Sequence, residues 1–114
     1  MKINLRKYTF SYDGIIFDAI YKIKINKIKT LFIEKNSKII GVLDIEDILN
    51  SFLNGVDIYS SVNGVYNKSF KYLKDKNFNK AKQLFNKFNL IALPILNNKH
   101  KLCDLITIKD FLKI

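Results

Sequence analysis

Two short segments of the chain place a capping residue three positions before an aspartate. They are Asp44 with Asp47, and Thr107 with Asp110. Residues at this spacing across a helix start lie on one face, so their oxygens can accept from the vicinal hydroxyls of a ribose. The free N–H groups of the same helix start can hold a phosphate. The spacing therefore makes each segment a candidate nucleotide site.

The same residues also have a purely structural interpretation. A hydroxyl or carboxylate followed three residues later by a carboxylate is typical of a capping box, in which both side chains bind backbone N–H groups. Taken locally, this interpretation is the stronger one. The alternatives therefore stay open until the surroundings of each segment are known.

A nucleotide at the second segment would need further partners nearby. Lys109 lies inside the segment and Lys101 lies in the preceding turn, and either side chain can neutralise a phosphate. An adenine ring needs an apolar slot, which we expect from the strand that contains Ala92 and Pro94. The predicted site thus combines a helix start with the neighbouring strand.

The elements that position these residues occur twice. Residues 32–49 read FIEKNSKIIGVLDIEDIL and residues 95–112 read ILNNKHKLCDLITIKDFL, without a gap and 63 residues apart (Asp110 against Asp47). Each copy predicts strand, turn, strand and helix. An internal repeat of this kind predicts two similar units that pack on each other and leave a cleft between them.

The hydrophobic pattern extends each copy to strand, helix, strand, strand, helix. We therefore predict an α+β fold of two βαββα repeats packed sheet to sheet. The predicted boundaries are residues 1–56 for the first repeat, 57–68 for a polar linker and 69–114 for the second repeat. The predicted helices cover residues 15–25 with Asp13 as a possible N-cap, 44–53, 75–89 and 107–114; the predicted strands cover 2–10, 30–33, 39–43, 69–73, 90–96 and 102–106, with Pro94 implying an edge or irregular position.

Composition restricts the function classes. The net charge of +10 can attract nucleic acid, but 19 of the 20 basic residues are lysines spread along the chain, whereas a nucleic-acid module concentrates arginine and aromatic residues on one face. No apolar run approaches the roughly 18 residues of a membrane span, and the N-terminus lacks the features of a signal peptide. We therefore expect no membrane association.

Cysteine and histidine are too scarce for several kinds of chemistry. Cys103 is the only cysteine and His100 the only histidine, so a Cys/His metal site or nucleophilic dyad lacks material. A lone cysteine fits a reducing cytoplasm, and its apolar neighbours predict a buried, inert thiol. The carboxylates are explained by capping or ribose contacts, so we expect a non-catalytic protein without a cofactor.

The two repeated runs, and LPILNNKHKLCDLITIKDFL at 93–112 in particular, resemble a tandem pair of cystathionine-β-synthase (CBS) domains, often called a Bateman module. The resemblance covers nearly the whole chain from about Tyr8. Repeats of this family end in Gly, two apolar residues, Thr or Ser, two variable residues and Asp, and the Thr and Asp hold the ribose of an adenine nucleotide. By position, this role falls on Thr107 with Asp110 and on Asp44 with Asp47.

The sequence departs from that pattern in both copies. Asp44 stands where the family has Thr or Ser, and a second carboxylate repels phosphate at short range. Asp104 stands where the family has Gly, whereas the first copy keeps Gly41. The resemblance therefore predicts at most one good nucleotide site, at Thr107 and Asp110.

The segment DILNSFLNGVDIYSSVNGVYNKSF at 47–70 resembles the link of CBS pairs joined to sugar nucleotidyltransferases, although nothing here matches their Gly-rich nucleotide loop. The resemblance implies a regulatory module that senses AMP, ADP, ATP or S-adenosylmethionine and controls an attached or associated enzyme. The alternative is a ligand-free scaffold that forms homodimers through helices around 17–23 and 78–88. Nucleic-acid binding ranks third.

Overall fold

The computed structural model describes residues 4–112, so the ends of the predicted first strand and last helix lie outside them. Within the described part, residues 5–8 of the strand predicted at 2–10 form a 3-10 helix instead. The first unit follows a single 3-10 turn (Leu5–Tyr8) and contains β1 (Thr9–Ser11), α1 (Ile16–Asn26), β2 (Thr30–Lys35), β3 (Lys38–Asp44) and α2 (Ile45–Leu53). The second contains α3 (Phe78–Lys87), β4 (Ala92–Leu96), β5 (Leu102–Thr107) and α4 (Lys109–Leu112). The predicted α+β class is confirmed.

The strands of the two sheets pair in the same order, but the first sheet has three strands and the second has two. β1 pairs parallel with β2, and β2 pairs antiparallel with β3. In the second unit β4 pairs antiparallel with β5, and Leu73 forms a single parallel bridge to Ile95 where the first unit has β1. The strand predicted at 69–73 is thus reduced to one bridging residue.

Strand β2 is buried on both faces, which explains its continuous apolar run. Leu31 and Ile33 point into the core that α1 covers. Phe32, between them, points to the other face and enters a different core, because successive strand residues alternate between faces. Strand β2 therefore contributes side chains to both cores and connects the first unit to the second.

The core between the units contains side chains from both repeats. Phe32 and Ile39 of the first sheet pack with Ala92, Leu96 and Leu105 of the second. The Ile39 N–H also donates to the His100 carbonyl at 2.8 Å. This arrangement confirms the predicted sheet-to-sheet packing.

Helix α1 buries one apolar face, with Ile16, Ala19 and Ile23 in the core, but its ends differ from the prediction. Asp13 does not cap it, because the N-cap is Ile15 and the Asp13 carboxylate accepts from the Ser11 hydroxyl. At the other end, the buried Asn26 amide donates to the carbonyls of Lys7 and Thr30. Asn26 therefore fixes the end of α1 to the segments before β1 and β2.

Helix α3 is shorter than the predicted span of 75–89. It begins after Asn77, whose side chain accepts from the Lys80 N–H, and ends at Lys87. The side-chain cap satisfies a backbone donor that would otherwise be free at the helix start. The residues before Phe78 are consequently irregular.

The hairpin of β4 and β5 bears on the predictions for Cys103 and Pro94. Cys103 is exposed, not buried, because the register of β4 and β5 shifts beside it and leaves it opposite no partner. Pro94 is fully buried, and its carbonyl accepts from the Leu73 N–H at 3.0 Å. The sequence predicts an edge or irregular position for Pro94, and the strand register shifts one residue later, between Ile95 and Leu96.

The helices of residues 4–112 are short. None of them combines the length and the apolar character that crossing a bilayer requires.

Candidate functional site

Asp44 and Asp47 form a complete capping box at the start of α2. The Asp47 N–H donates to Asp44 Oδ1 at 3.0 Å, and the Asp44 N–H donates to Asp47 Oδ2 at 3.0 Å. Each carboxylate uses one oxygen in this exchange, which leaves a second oxygen on each side chain with spare acceptor capacity. The structural and the ligand-binding interpretations are therefore compatible.

The Asp47 carboxyl has an unusual affinity for protons. Its burial raises its pKa to about 6, the neighbouring Asp44 charge acts in the same direction, and the hydrogen bond from the Asp44 backbone opposes both. Two carboxylates held this close favour a bound proton or a cationic or hydroxyl-bearing partner over a second anion. The charge of the two carboxylates therefore limits which ligands can bind beside them.

The segment that follows the first repeat is held against this carboxylate pair. Val42 of β3 and Asn67 exchange both backbone hydrogen bonds, at 3.0 and 2.8 Å. The neighbouring Tyr66 ring lies directly over Gly41, where a Cβ atom would come within 2.3 Å of the ring. Gly41 thus admits Tyr66, and the chain leaving Tyr66 forms a wall of the site.

A cavity of about 320 Å³ lies beside Asp44 and Asp47 and between the two repeats. Its other lining residues are Val42, Asn67, Ser69, Phe70, Lys71, Phe88, Leu90 and Ala92. The volume falls in the range of small-molecule sites. The first repeat supplies the carboxylates, and the segments around β4 supply an apolar wall.

The apolar wall contains two aromatic rings and one cation. Phe70 and Phe88 present ring surface suited to a planar heterocycle. The Lys71 ammonium lies 4.7 Å from the centre of the Phe88 ring, a cation–π distance. Lys71 is the only cationic side chain among the cavity's lining residues, so the two carboxylates outnumber it.

The equivalent segment of the second repeat has a different geometry. The Thr107 N–H donates to Asp110 Oδ2 at 2.8 Å, which reproduces half of the capping box. Thr107 is the last residue of β5 and α4 starts only at Lys109, so the predicted N-cap role of Thr107 does not hold. Thr107 and Asp110 do not line the cavity beside Asp44 and Asp47.

Asp104, which replaces the family's glycine, makes its own contacts. Its carboxylate forms an ion pair with Lys76 at 3.0 Å and accepts from the Leu105 N–H. In the first repeat the matching residue, Gly41, lies under the Tyr66 ring. The two copies therefore differ at the residue that sets how closely a neighbouring segment approaches.

The remaining predicted site residues are distributed over both ends of the second sheet. Ala92 lines the cavity, whereas Pro94 is fully buried and does not line it. Lys109 is exposed beside Asp110. Lys101 precedes β5 and Thr107 ends it, a separation of about 20 Å along a strand of this length. The structure does not bring Lys101 to Thr107.

The chain superposes closely on several solved structures. A crystal structure of a CBS domain superposes with a TM-score of 0.82 at 23% identity and covers 93% of this chain and 84% of that one. A CBS-domain pair in complex with 5′-methylthioadenosine and S-adenosylmethionine has a TM-score of 0.80 at 15% identity and covers 93% and 88%. The chain has the fold of a CBS-domain pair.

A third structure with this fold is a CBS-domain protein from Pyrobaculum aerophilum in complex with AMP, with a TM-score of 0.76, 15% identity and coverage of 90% and 81%. No protein-family model matches the sequence, and no curated protein matches it. The CBS-pair fold predicted from the repeated runs is confirmed by these superpositions.

Several residues of the cavity were not predicted from the sequence. Phe70, Lys71 and Phe88 lie outside the repeated runs, and the sequence assigned Phe88 to the apolar side of a helix that ends before it. One signal was available: the segment after the first repeat contains aromatic residues in an otherwise polar stretch. Only the packing of that segment on β3 shows that they reach the carboxylates.

Proposed function

We propose that this CBS-domain pair is a non-catalytic regulatory module that binds an adenosine-containing ligand beside Asp44 and Asp47. The observation that carries the proposal is the cavity between the repeats, where a carboxylate pair with free oxygens faces Phe70 and Phe88. The carboxylates would accept from the ribose hydroxyls, and the aromatic wall would cover the adenine. Complexes of structural neighbours with AMP and with S-adenosylmethionine support the ligand class.

The charges of the cavity rank the four predicted ligands. Two carboxylates and one lysine line it, so a triphosphate would meet more repulsion than attraction at short range. S-adenosylmethionine, which carries a sulfonium, and ligands with at most one phosphate fit this charge better than ATP or ADP. The proposal therefore places S-adenosylmethionine and AMP first.

Regulation follows if the ligand contacts both repeats. Asp47 belongs to the first repeat and Ala92 to the second, so occupancy favours the arrangement in which both reach the ligand. Such a ligand changes an attached or associated enzyme by its differential affinity for the two states. A sugar nucleotidyltransferase is the proposed enzyme, on the resemblance of the segment at 47–70.

Calorimetric titration of the intact chain tests the ligand site, with adenosine, AMP, ATP and S-adenosylmethionine as probes. The internal repeat supplies a matched pair of variants, Asp47→Asn and Asp110→Asn. We expect Asp47→Asn to weaken binding by about tenfold, as the loss of a charged hydrogen bond does, and Asp110→Asn to leave it unchanged. The opposite result would move the site to Thr107 and Asp110, and no heat with any probe would exclude the sensor function.

A second candidate function, homodimer formation, rests on an apolar patch on the first repeat. Phe17, Tyr21 and Ile25 of α1 are about half exposed or more, and so are Leu49 and Leu53 of α2. The five side chains follow four-residue steps, so each helix presents one outward stripe. In the second repeat α3 exposes Phe78 among several lysines. The proposed interface is therefore the first repeat alone.

Light scattering at several protein concentrations tests this interface. We expect a dimer that Leu53→Asp and Tyr21→Asp convert to monomer, because a two-fold interface would bury two copies of the introduced charge in apolar surroundings. Ile108→Asp places the same charge on an exposed isoleucine of the second repeat and should keep the dimer. A wild-type protein that stays monomeric at high concentration would rule the interface out.

A further inference from the structure

A cationic groove lies beside the edge strand of the first repeat and is separate from the cleft. Two cavities of about 520 and 280 Å³ adjoin there and share the residues Thr9, Lys22, Glu34 and Ser37. Arg6 and Leu102 line the larger cavity, and Lys35 lines the smaller. Neither cavity shares a lining residue with the one beside Asp47, so the groove needs its own explanation.

Lys22 is the central cation of this groove. It lies on α1, and its partly buried ammonium donates to the Thr9 carbonyl on β1. Burial lowers the pKa of Lys22, and the Glu34 charge acts in the opposite direction. Within residues 4–112, the one ion pair closer than 4.0 Å joins Lys76 to Asp104, so Glu34 stays farther from Lys22 than a direct pair.

A partly desolvated ammonium without a contacting counter-ion is unfavourable, and an anion in the groove would offset that penalty. Arg6 adds a second cation on the same cavity and is the only arginine of the chain. A guanidinium offers a planar set of N–H donors that matches the oxygens of a phosphate. Ser37 adds a hydroxyl donor.

The remaining charges restrict the size of the anion. The Lys35 ammonium lies 4.8 Å from the centre of the Tyr12 ring, so it already makes a cation–π contact. Glu34 lines both cavities and opposes a high negative charge. Arg6 and Lys22 together therefore balance one phosphate group and not a chain of them.

We propose that the groove between Arg6 and Lys22 binds a small phosphate monoester. The phosphate contacts both cations and the Ser37 hydroxyl, and the organic part occupies the rest of the larger cavity. Leu102 belongs to the second repeat, so the occupant touches both repeats. The groove is then a second ligand site, chemically opposite to the carboxylate-lined cleft.

Amide chemical shifts of the intact, isotope-labelled chain report on this site. The probes are glycerol 3-phosphate, inorganic phosphate and glycerol at constant ionic strength. We expect shifts at Thr9, Lys22 and Ser37 with the two phosphates and none with glycerol. Lys22→Met should weaken binding by about tenfold, and Arg6→Gln should weaken it as well.

Lys24→Met is the matched control, because it removes the same charge from an exposed position of the same helix. Its binding should equal that of the wild type. Equal weakening by Lys24→Met and Lys22→Met, or wild-type shifts outside the groove, would overturn the proposal. If Lys22→Met unfolds, the exposed Arg6 decides the matter through Arg6→Gln. Adenosine titrated in the same samples reports on the cleft independently.

Discussion

At the scale of single residues, Asp47 has both a structural and a binding role. One of its oxygens closes the capping box with the Asp44 backbone, and the other remains free at the cavity. The burial that makes it useful to a ligand also makes its ionisation unfavourable, which raises its pKa to about 6. Its charge state therefore changes in a range where an ordinary aspartate stays ionised.

Replacement of Asp47 by asparagine should remove a pH dependence of stability. A carboxyl whose pKa is raised on folding, from 3.8 to about 6 here, stabilises the fold below the unfolded pKa and loses that contribution as pH rises through the folded pKa. We expect the wild-type free energy of unfolding, relative to Asp47→Asn, to fall between about pH 4 and pH 6. Urea unfolding at several pH values measures this.

Asp110→Asn provides the comparison for that experiment, because Asp110 makes the matching backbone contact to Thr107 in the other repeat. Its stability should follow the wild-type dependence in the same pH range. Parallel curves for the wild type and Asp47→Asn would contradict the raised pKa.

At the scale of elements, left-handed residues end the first helix and form the hairpin after it. Lys27, the C-cap of α1, has a φ of 67°, and Asn36 and Ser37 in the β2–β3 turn have φ values of 52° and 65°. Two consecutive left-handed residues are typical of a two-residue hairpin turn that matches the strand twist. The chain uses Lys27 where glycine is the usual residue.

Lys27→Gly should therefore stabilise the protein by about 1 kcal/mol, because a side chain in the left-handed region is unfavourable. Lys24→Gly is the matched change inside the same helix and should destabilise by about 1 kcal/mol, since glycine there loses more backbone entropy. Thermal and urea unfolding measure both. If both variants changed the stability in the same direction, the left-handed conformation of Lys27 would not be the cause of the effect.

At the scale of the whole molecule, the two repeats depend on one shared core. Phe32 is fully buried between the sheets, with side chains of the second repeat around it. A single repeat, at about 50 residues, buries so little surface that it would be marginally stable alone. The cleft and the groove both lie where the repeats meet, so their geometry depends on this core.

Phe32→Ala should destabilise the whole chain by about 3–5 kcal/mol, the range for emptying a buried aromatic site. Because the core is shared, both repeats should unfold in one transition, and amide signals from each should disappear together in urea. Phe78→Ala removes a half-exposed phenylalanine of α3, outside the proposed dimer interface, and should have a much smaller effect. Separate transitions for the two repeats would contradict the shared core.

The sequence predicted much of this fold because the repeated pattern is local. The helix predicted at 15–25 and the capping box of Asp44 and Asp47 depend on near neighbours along the chain, and the structure confirms both. Cys103 was predicted wrongly because its exposure depends on a register shift between strands. The division at residues 57–68 stays a prediction, although Val62 and Tyr66 pack in the first core.

The sequence by itself determined the helix–strand–strand–helix order that both repeats share and the carboxylates near the start of their last helices, since periodicity and capping are properties of short segments. Only the tertiary structure shows that Asp44 and Asp47 face a cavity. That cavity depends on Gly41, which lets Tyr66 approach, and on Phe70 and Phe88, which arrive from distant positions in the chain. Packing between remote segments has no periodic trace in the sequence, so the cavity beside Asp44 and Asp47 forms only through the fold.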